Sequence, residues 1–214
     1  MTSSETEALK TVEKKRGYRL SYHRMLDASD PDLLRAYDAF YTKLTLDPRI
    51  LSAAERETVW VALLVAAREE HGTIHLRRAE AAGLAYATLS EAVAIAGAVE
   101  SYEAMTGFAG AHWADWTPPD DLDQRYFALV GTARGSIDPA LTDLCAAVCH
   151  AARRSHRGMA LHIERFLAAG GARDALTEGL SYLLLPCGGP TLIDAVEAWA
   201  VAAEEGGFAG PYSE

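Results

Sequence analysis

Val65-Ala-Ala-Arg-Glu-Glu-His-Gly-Thr-Ile-His-Leu-Arg-Arg-Ala-Glu-Ala-Ala-Gly83 decides the architecture, because a second version follows. From Ala151 to Gly170 the chain reads Ala-Ala-Arg-Arg-Ser-His-Arg-Gly-Met-Ala-Leu-His-Ile-Glu-Arg-Phe-Leu-Ala-Ala-Gly. Both carry Ala-Ala-Arg, two polar residues and a histidine, then a second histidine eight positions before a glycine (His75 to Gly83, His162 to Gly170). From Ala-Ala to that glycine the second version is two residues longer. Internal repetition constrains architecture before finer patterns do. It predicts two halves of one helical domain, each with a helix–turn–helix and histidines at the turn.

Working outward, Ser52 with Glu55 reads as a capping box opening a helix that is apolar nearly all round and so central. Glu57 lies in its first turns. Gly135-Ser-Ile-Asp138-Pro139 opens its counterpart, with Asp138 as cap and Pro139 in the first turn. Upstream, Ser29-Asp30-Pro31 starts a helix with Leu33, Tyr37, Phe40 and Leu44 on one stripe, and Asp47-Pro48 ends it. A third helix of the first half follows Ser90, and a last helix runs from Thr191 to about Glu204. No stretch shows strand alternation, so the fold class is all-α.

The expected boundaries are a flexible or loosely docked arm over 1–17, then one domain over 18–205, then a tail over 206–214. Within the domain, repeat one spans about 30–106, a connection 107–121, and repeat two about 122–204. The connection holds Gly107-Phe-Ala-Gly110, Trp113, Trp116 and Thr117-Pro-Pro-Asp-Asp121.

The 214 residues can bury a sizeable core. A formal charge of −10 argues against nucleic acid, whose phosphates call for clustered Lys and Arg. No long uncharged apolar stretch predicts a membrane span, and the polar, acidic N-terminus has no signal-peptide pattern. Three cysteines, Cys145, Cys149 and Cys187, read as reduced thiols of a cytoplasmic protein, the first two as core filler. All four lysines fall at or before Lys43, far from either histidine turn, which disfavours imine chemistry. Gly-x-Ser-x-Gly, phosphate-loop and dinucleotide motifs are lacking.

Arg56-Glu57 on the buried helix, His71 and His75 at the polar turn, and Ala81-Ala82-Gly83 resemble the carboxymuconolactone decarboxylase and alkylhydroperoxidase D superfamily. The tail from Leu183 through Pro186-Cys-Gly-Gly-Pro190 to Ala195 resembles that family's last helix pair. The likeness covers roughly 30–204 in two tandem copies. It implies an alkylhydroperoxidase D-like helical fold and homo-oligomers, here a dimer or trimer. The peroxidase branch carries Cys-x-x-Cys followed four residues later by His; counting back from His75, those positions hold Arg68 and His71. Without thiolates there is no sulfenate or disulfide to cycle. The resemblance therefore points to the cysteine-free, lactone-decarboxylase branch: a cofactor-independent lyase acting on a small carboxylated or β-keto-like metabolite.

The candidate acid–base residues are His75 and Glu57, with His71 and His162 nearby; the resemblance places the family's functional glutamate at Glu57. Arg68, Glu70 and His156 are candidates for binding the substrate, Arg68 through the forked donors that suit a carboxylate. Thr142 or Asp143 stands where the first copy has Glu57, which favours the first copy as the active one. Two other readings stay open. One is a metal-dependent enzyme using His71 and His75. The other is a non-catalytic relative that binds a ligand or only oligomerises.

Overall fold

The computed structural model describes residues 6–213, so the parts of the expected arm and tail at 1–5 and 214 lie outside the described residues. The fold is all-α: the described residues form eleven α-helices joined by short 3-10 and π-helical segments, without a strand. They divide into two compact units, one ending at Asp47 and the other beginning at Pro48. Asp47 takes the extended conformation that a following proline imposes, which stops the preceding helical segment.

The first unit contains α1 (Glu7–Arg16), α2 (Ser21–Ser29) and α3 (Pro31–Tyr41), the last continued by a π-helical turn, Thr42–Leu46. Residues 7–16, read from the sequence as part of a flexible or loosely docked arm, form a capped helix. The side chain of Thr6 accepts from the Ala8 N–H, and Gly17 closes the helix in the left-handed region. Leu9 and Val12 bury against Leu34, and Leu26 packs on the cluster. On α3 the buried positions are Leu34, Asp38 and Tyr41, whereas Leu33 and Phe40 of the expected stripe are exposed. The stripe is displaced because a charged residue faces inward. Asp38 accepts from Nε and Nη2 of the buried Arg16 at 3.0 and 2.8 Å, and Lys15 also pairs with it. The Arg16 guanidinium stands 3.8 Å over the Tyr41 ring. A guanidinium can be buried only when its donors and its flat face are both matched.

The second unit is built around two helices. α4 (Ala53–Ala67) has the expected capping box between Ser52 and Glu55. After a 3-10 turn, Glu70–Thr73, come α5 (Ile74–Ala81) and α6 (Tyr86–Tyr102), which begins before Ser90. The helical path continues as a π-helix over Glu103–Gly110, so the first part of the expected connection is helical, and the irregular stretch falls around Trp113–Pro118. α7 (Pro119–Ala133) and α8 (Pro139–Ala152) follow, the latter capped by Asp138 as expected. α9 (His156–Ala168), α10 (Arg173–Ser181) and α11 (Gly188–Gly206) complete the chain; Pro190 sits in the first turn of α11 and does not delay its start. α4 packs on α8, and each also contacts α6; α8 packs closely on α9. Every residue of α8 from Thr142 to Ala151 is buried, including Cys145 and Cys149. Burial pushes both thiols up, Cys145 to about 12, so they sit as neutral apolar groups.

Candidate functional site

α4 turns Glu57 inward, and α5 turns His75 toward it. Nδ1 of His75 lies 2.7 Å from Oε2 of Glu57, across 18 residues of sequence. Both side chains are buried. Arg56 Nε donates to the other Glu57 oxygen at 3.2 Å. The carboxylate therefore fixes the ring proton on Nδ1, and among the described residues Nε2 of His75 has no hydrogen bond. Burial lowers the His75 pKa below the usual histidine value, partly offset by Glu57, so the ring is neutral at pH 7 and Nε2 bears a lone pair. Trp60, one turn after Glu57, stacks on the His75 ring at 4.3 Å, and Tyr182 stacks on the far side of Trp60 at 4.7 Å. The Tyr182 hydroxyl donates to Glu178, which also accepts from the Ile50 and Leu51 N–H groups.

The second stretch builds a matching pair. Nδ1 of His162 lies 2.7 Å from Oδ1 of Asp143, across 19 residues. Asp143 therefore does what Glu57 does, which corrects the expectation that the second copy lacks an equivalent carboxylate of comparable use. Arg165 Nε donates to the same oxygen at 3.1 Å. The two pairs differ at the other ring nitrogen: Nε2 of His162 is 2.8 Å from the Tyr126 hydroxyl, and that hydroxyl is 2.8 Å from Nε2 of His150. His162, Tyr126 and His150 are fully buried.

Backbone conformation aligns the stretches more closely than composition does. Arg68 ends α4 at φ 57°, and the matching left-handed residue is Arg154 at φ 56°, not the Arg153 that the Ala-Ala-Arg match pairs with it. Gly83 and Gly170 both take the left-handed conformation after the histidine helix. The second stretch is thus longer by one residue between Arg154 and His162, not by two.

The remaining candidates lie elsewhere. The His71 side chain, on the 3-10 turn, is 73% exposed and 3.8 Å from the exposed Glu70. It does not join His75, although the two are four residues apart, because the turn breaks the helical face they would share. The metal-binding arrangement of His71 and His75 is therefore not formed, and among the described residues no group of three or more His, Cys, Asp or Glu could hold a metal ion. Arg68 is 70% exposed and sits 3.6 Å from Glu100, whose other oxygen takes Arg153 at 2.9 Å. His156 is exposed at the start of α9 and lines a surface groove of about 490 Å³ with Arg157, Asp194, Glu197 and Glu205. A second groove, about 370 Å³, is lined by Val61, Leu64 and Val65 of α4, Leu76 of α5 and Val93 of α6, and it brings together two of the binding candidates, Arg68 and Glu70. Trp60 is not singled out by the sequence, although it is an aromatic one turn after Glu57 on the same helix. Tyr126 reads by default as packing at the connection, and His150 groups with Cys145 and Cys149 as core, because the partners of both lie on other helices.

The chain matches no family model, no curated protein and no solved structure. No helix among the described residues is long and apolar enough to cross a membrane.

Proposed function

We propose that the chain is an enzyme of the carboxymuconolactone decarboxylase type, built from two tandem copies, in which Glu57 and His75 perform general acid–base catalysis. The substrate is a small carboxylated or β-keto-like metabolite, and the reaction a decarboxylation or related lyase step without organic cofactor. One observation carries this reading: His75 is held by Glu57 through Nδ1 while Nε2 keeps its lone pair. A neutral imidazole fixed at one nitrogen can take a proton at the other and return it to the carbanion or enolate left by loss of carbon dioxide. His162 has both nitrogens engaged, which favours the first pair as the reactive one. Arg68 and Glu70, which line the second groove, and the exposed His71 are ranked behind it. The proposed reading includes a cytoplasmic homo-oligomer.

Carbon dioxide release from a panel of β-keto and unsaturated carboxylic acids tests the reading. His75→Ala is expected to lower turnover of an accepted acid by about 10²–10⁴-fold, the usual worth of a positioned acid–base group, and Glu57→Gln to lower it less. Full turnover in both variants would sink the assignment.

A further inference from the structure

The second carboxylate–histidine pair opens a chain of hydrogen bonds whose directions follow from elementary valence. Asp143 accepts from Arg165 and from Nδ1–H of His162. In a neutral His162 ring, Nε2 must then accept, so the Tyr126 hydroxyl donates to it. The Tyr126 oxygen in turn accepts from Nε2–H of His150. That leaves Nδ1 of His150 with a lone pair, and this atom is fully buried without a hydrogen-bond partner.

Adding one proton at Nδ1 of His150 reverses the two inner bonds without moving a heavy atom. The Nε2 proton of His150 passes to Tyr126, the Tyr126 proton passes to Nε2 of His162, and every link is still made. The added charge then rests on His162, 2.7 Å from the Asp143 carboxylate, rather than on His150, which has no carboxylate against it. We propose that Asp143, His162, Tyr126 and His150 form a second acid–base site, in which a proton accepted at Nδ1 of His150 is stored as charge on His162. Its ligand is a small protic molecule that donates an O–H or N–H hydrogen bond to Nδ1.

Two further observations describe the surroundings of that nitrogen. A Cβ at Gly158, in the first turn of α9, would fall 2.5 Å from Nδ1 of His150. The same Cβ would stand 2.3 Å from Cε1, so glycine is what lets α9 pack closely on the His150 ring. Tyr102, whose ring meets His150 edge-on at 5.1 Å, has a buried hydroxyl that likewise lacks a partner. The titratable groups facing the relay are Tyr102 on α6, Tyr126 on α7, Asp143 and Cys149 on α8, and Arg165 on α9. The site is separate from Glu57 and His75 and stands or falls independently of the function proposed for them.

Long-range ¹H–¹⁵N spectra of the histidine rings in the intact protein test this directly. At pH 7 the wild type is expected to show His162 protonated at Nδ1 and His150 protonated at Nε2. On acidification, Nδ1 of His150 should gain its proton in the same step that turns His162 into an imidazolium. Tyr126→Phe keeps the ring and removes the relay, so the two changes should separate. The opposite tautomer on His150, a His162 that gains charge while His150 Nδ1 stays bare, or an unchanged titration in Tyr126→Phe would each overturn the proposal. The wild-type tautomers decide it even if the variant does not fold.

Discussion

Trp60 lies nearly flat against His75, their ring centroids 4.3 Å apart and their planes 23° from parallel. The contact sets the tilt of the imidazole, since Glu57 holds only one of its edges. Tyr182 backs the indole on the other side, so three rings form one stack. Removing the middle ring should be costly in two ways. Trp60→Ala is expected to destabilise the protein by about 3–5 kcal/mol, the usual range for a buried aromatic truncated to alanine. Trp60→Phe should cost less and keep the stack. Urea midpoints of the two variants check the order; equal midpoints would mean that the stack does not hold His75.

The pairing of Glu57 with His75 makes a second prediction. Glu57 raises the His75 pKa against the larger lowering by burial. Glu57→Gln should therefore lower that pKa further, and leave Arg56 beside an amide in place of a carboxylate. Breaking a buried pair by removing one partner costs on the order of 3–5 kcal/mol. A histidine titration followed by NMR gives the direction. An upward shift would contradict the pairing.

Several features of this architecture could be read from the sequence, and others could not. Helix starts are local events, so Ser52 with Glu55, Asp30 with Pro31, and Asp138 with Pro139 mark real caps. Glu57 and His75 were named together because the family resemblance carries both, and the structure brings them within hydrogen-bonding distance. Tyr126 and His150 were not, because Tyr126 meets His162 across 36 residues and His150 across 24, each on another helix. Asp143 was undervalued for a related reason: its role depends on which way α8 faces α9, which composition does not reveal. In the arm, charge masks an inner side: Leu9 and Val12 fall on one face and Arg16 finds Asp38, so a mostly polar helix still packs.

Glycines separate two kinds of position, and substitution should split them. Gly131, inside α7, has nothing within 4 Å of an added Cβ and no positive φ. Gly131→Ala should stabilise by about 0.5–1 kcal/mol through helix propensity. Gly158→Ala would drive a methyl into the His150 ring and should destabilise. Thermal midpoints moving in opposite directions are the expected result. Parallel shifts would contradict the packing at His150.

Glu100 forms ion pairs with both Arg68 and Arg153, yet all three side chains are at least a third exposed. Ion pairs of this kind contribute about 0–1 kcal/mol. Glu100→Gln is thus expected to change the urea midpoint little. If Arg68 binds a substrate carboxylate, freeing it from Glu100 should lower KM for an accepted acid with kcat unaltered. A loss of several kcal/mol would instead make the two arginines structural clamps.

Acid should destabilise both units through histidines held neutral. The His23 pKa is lowered to about 4, first by burial and then by Arg16, whose guanidinium nitrogen lies 3.2 Å from the ring. His75, His162 and His150 are also lowered by burial. A folded-state pKa below the unfolded value means that the unfolded chain binds more protons between the two. The stabilisation is therefore complete above about pH 6.5, the unperturbed histidine value. For His23 it declines as the pH falls from there toward about 4. Asp38 and Asp27 are lowered as well, and add a second loss only as the pH falls below the ordinary aspartate range. Urea unfolding at pH 7, 6 and 5 should show a falling midpoint, smaller in His23→Gln, whose amide takes up no proton. A midpoint that stays level across this range in the wild type would contradict the burial of these rings.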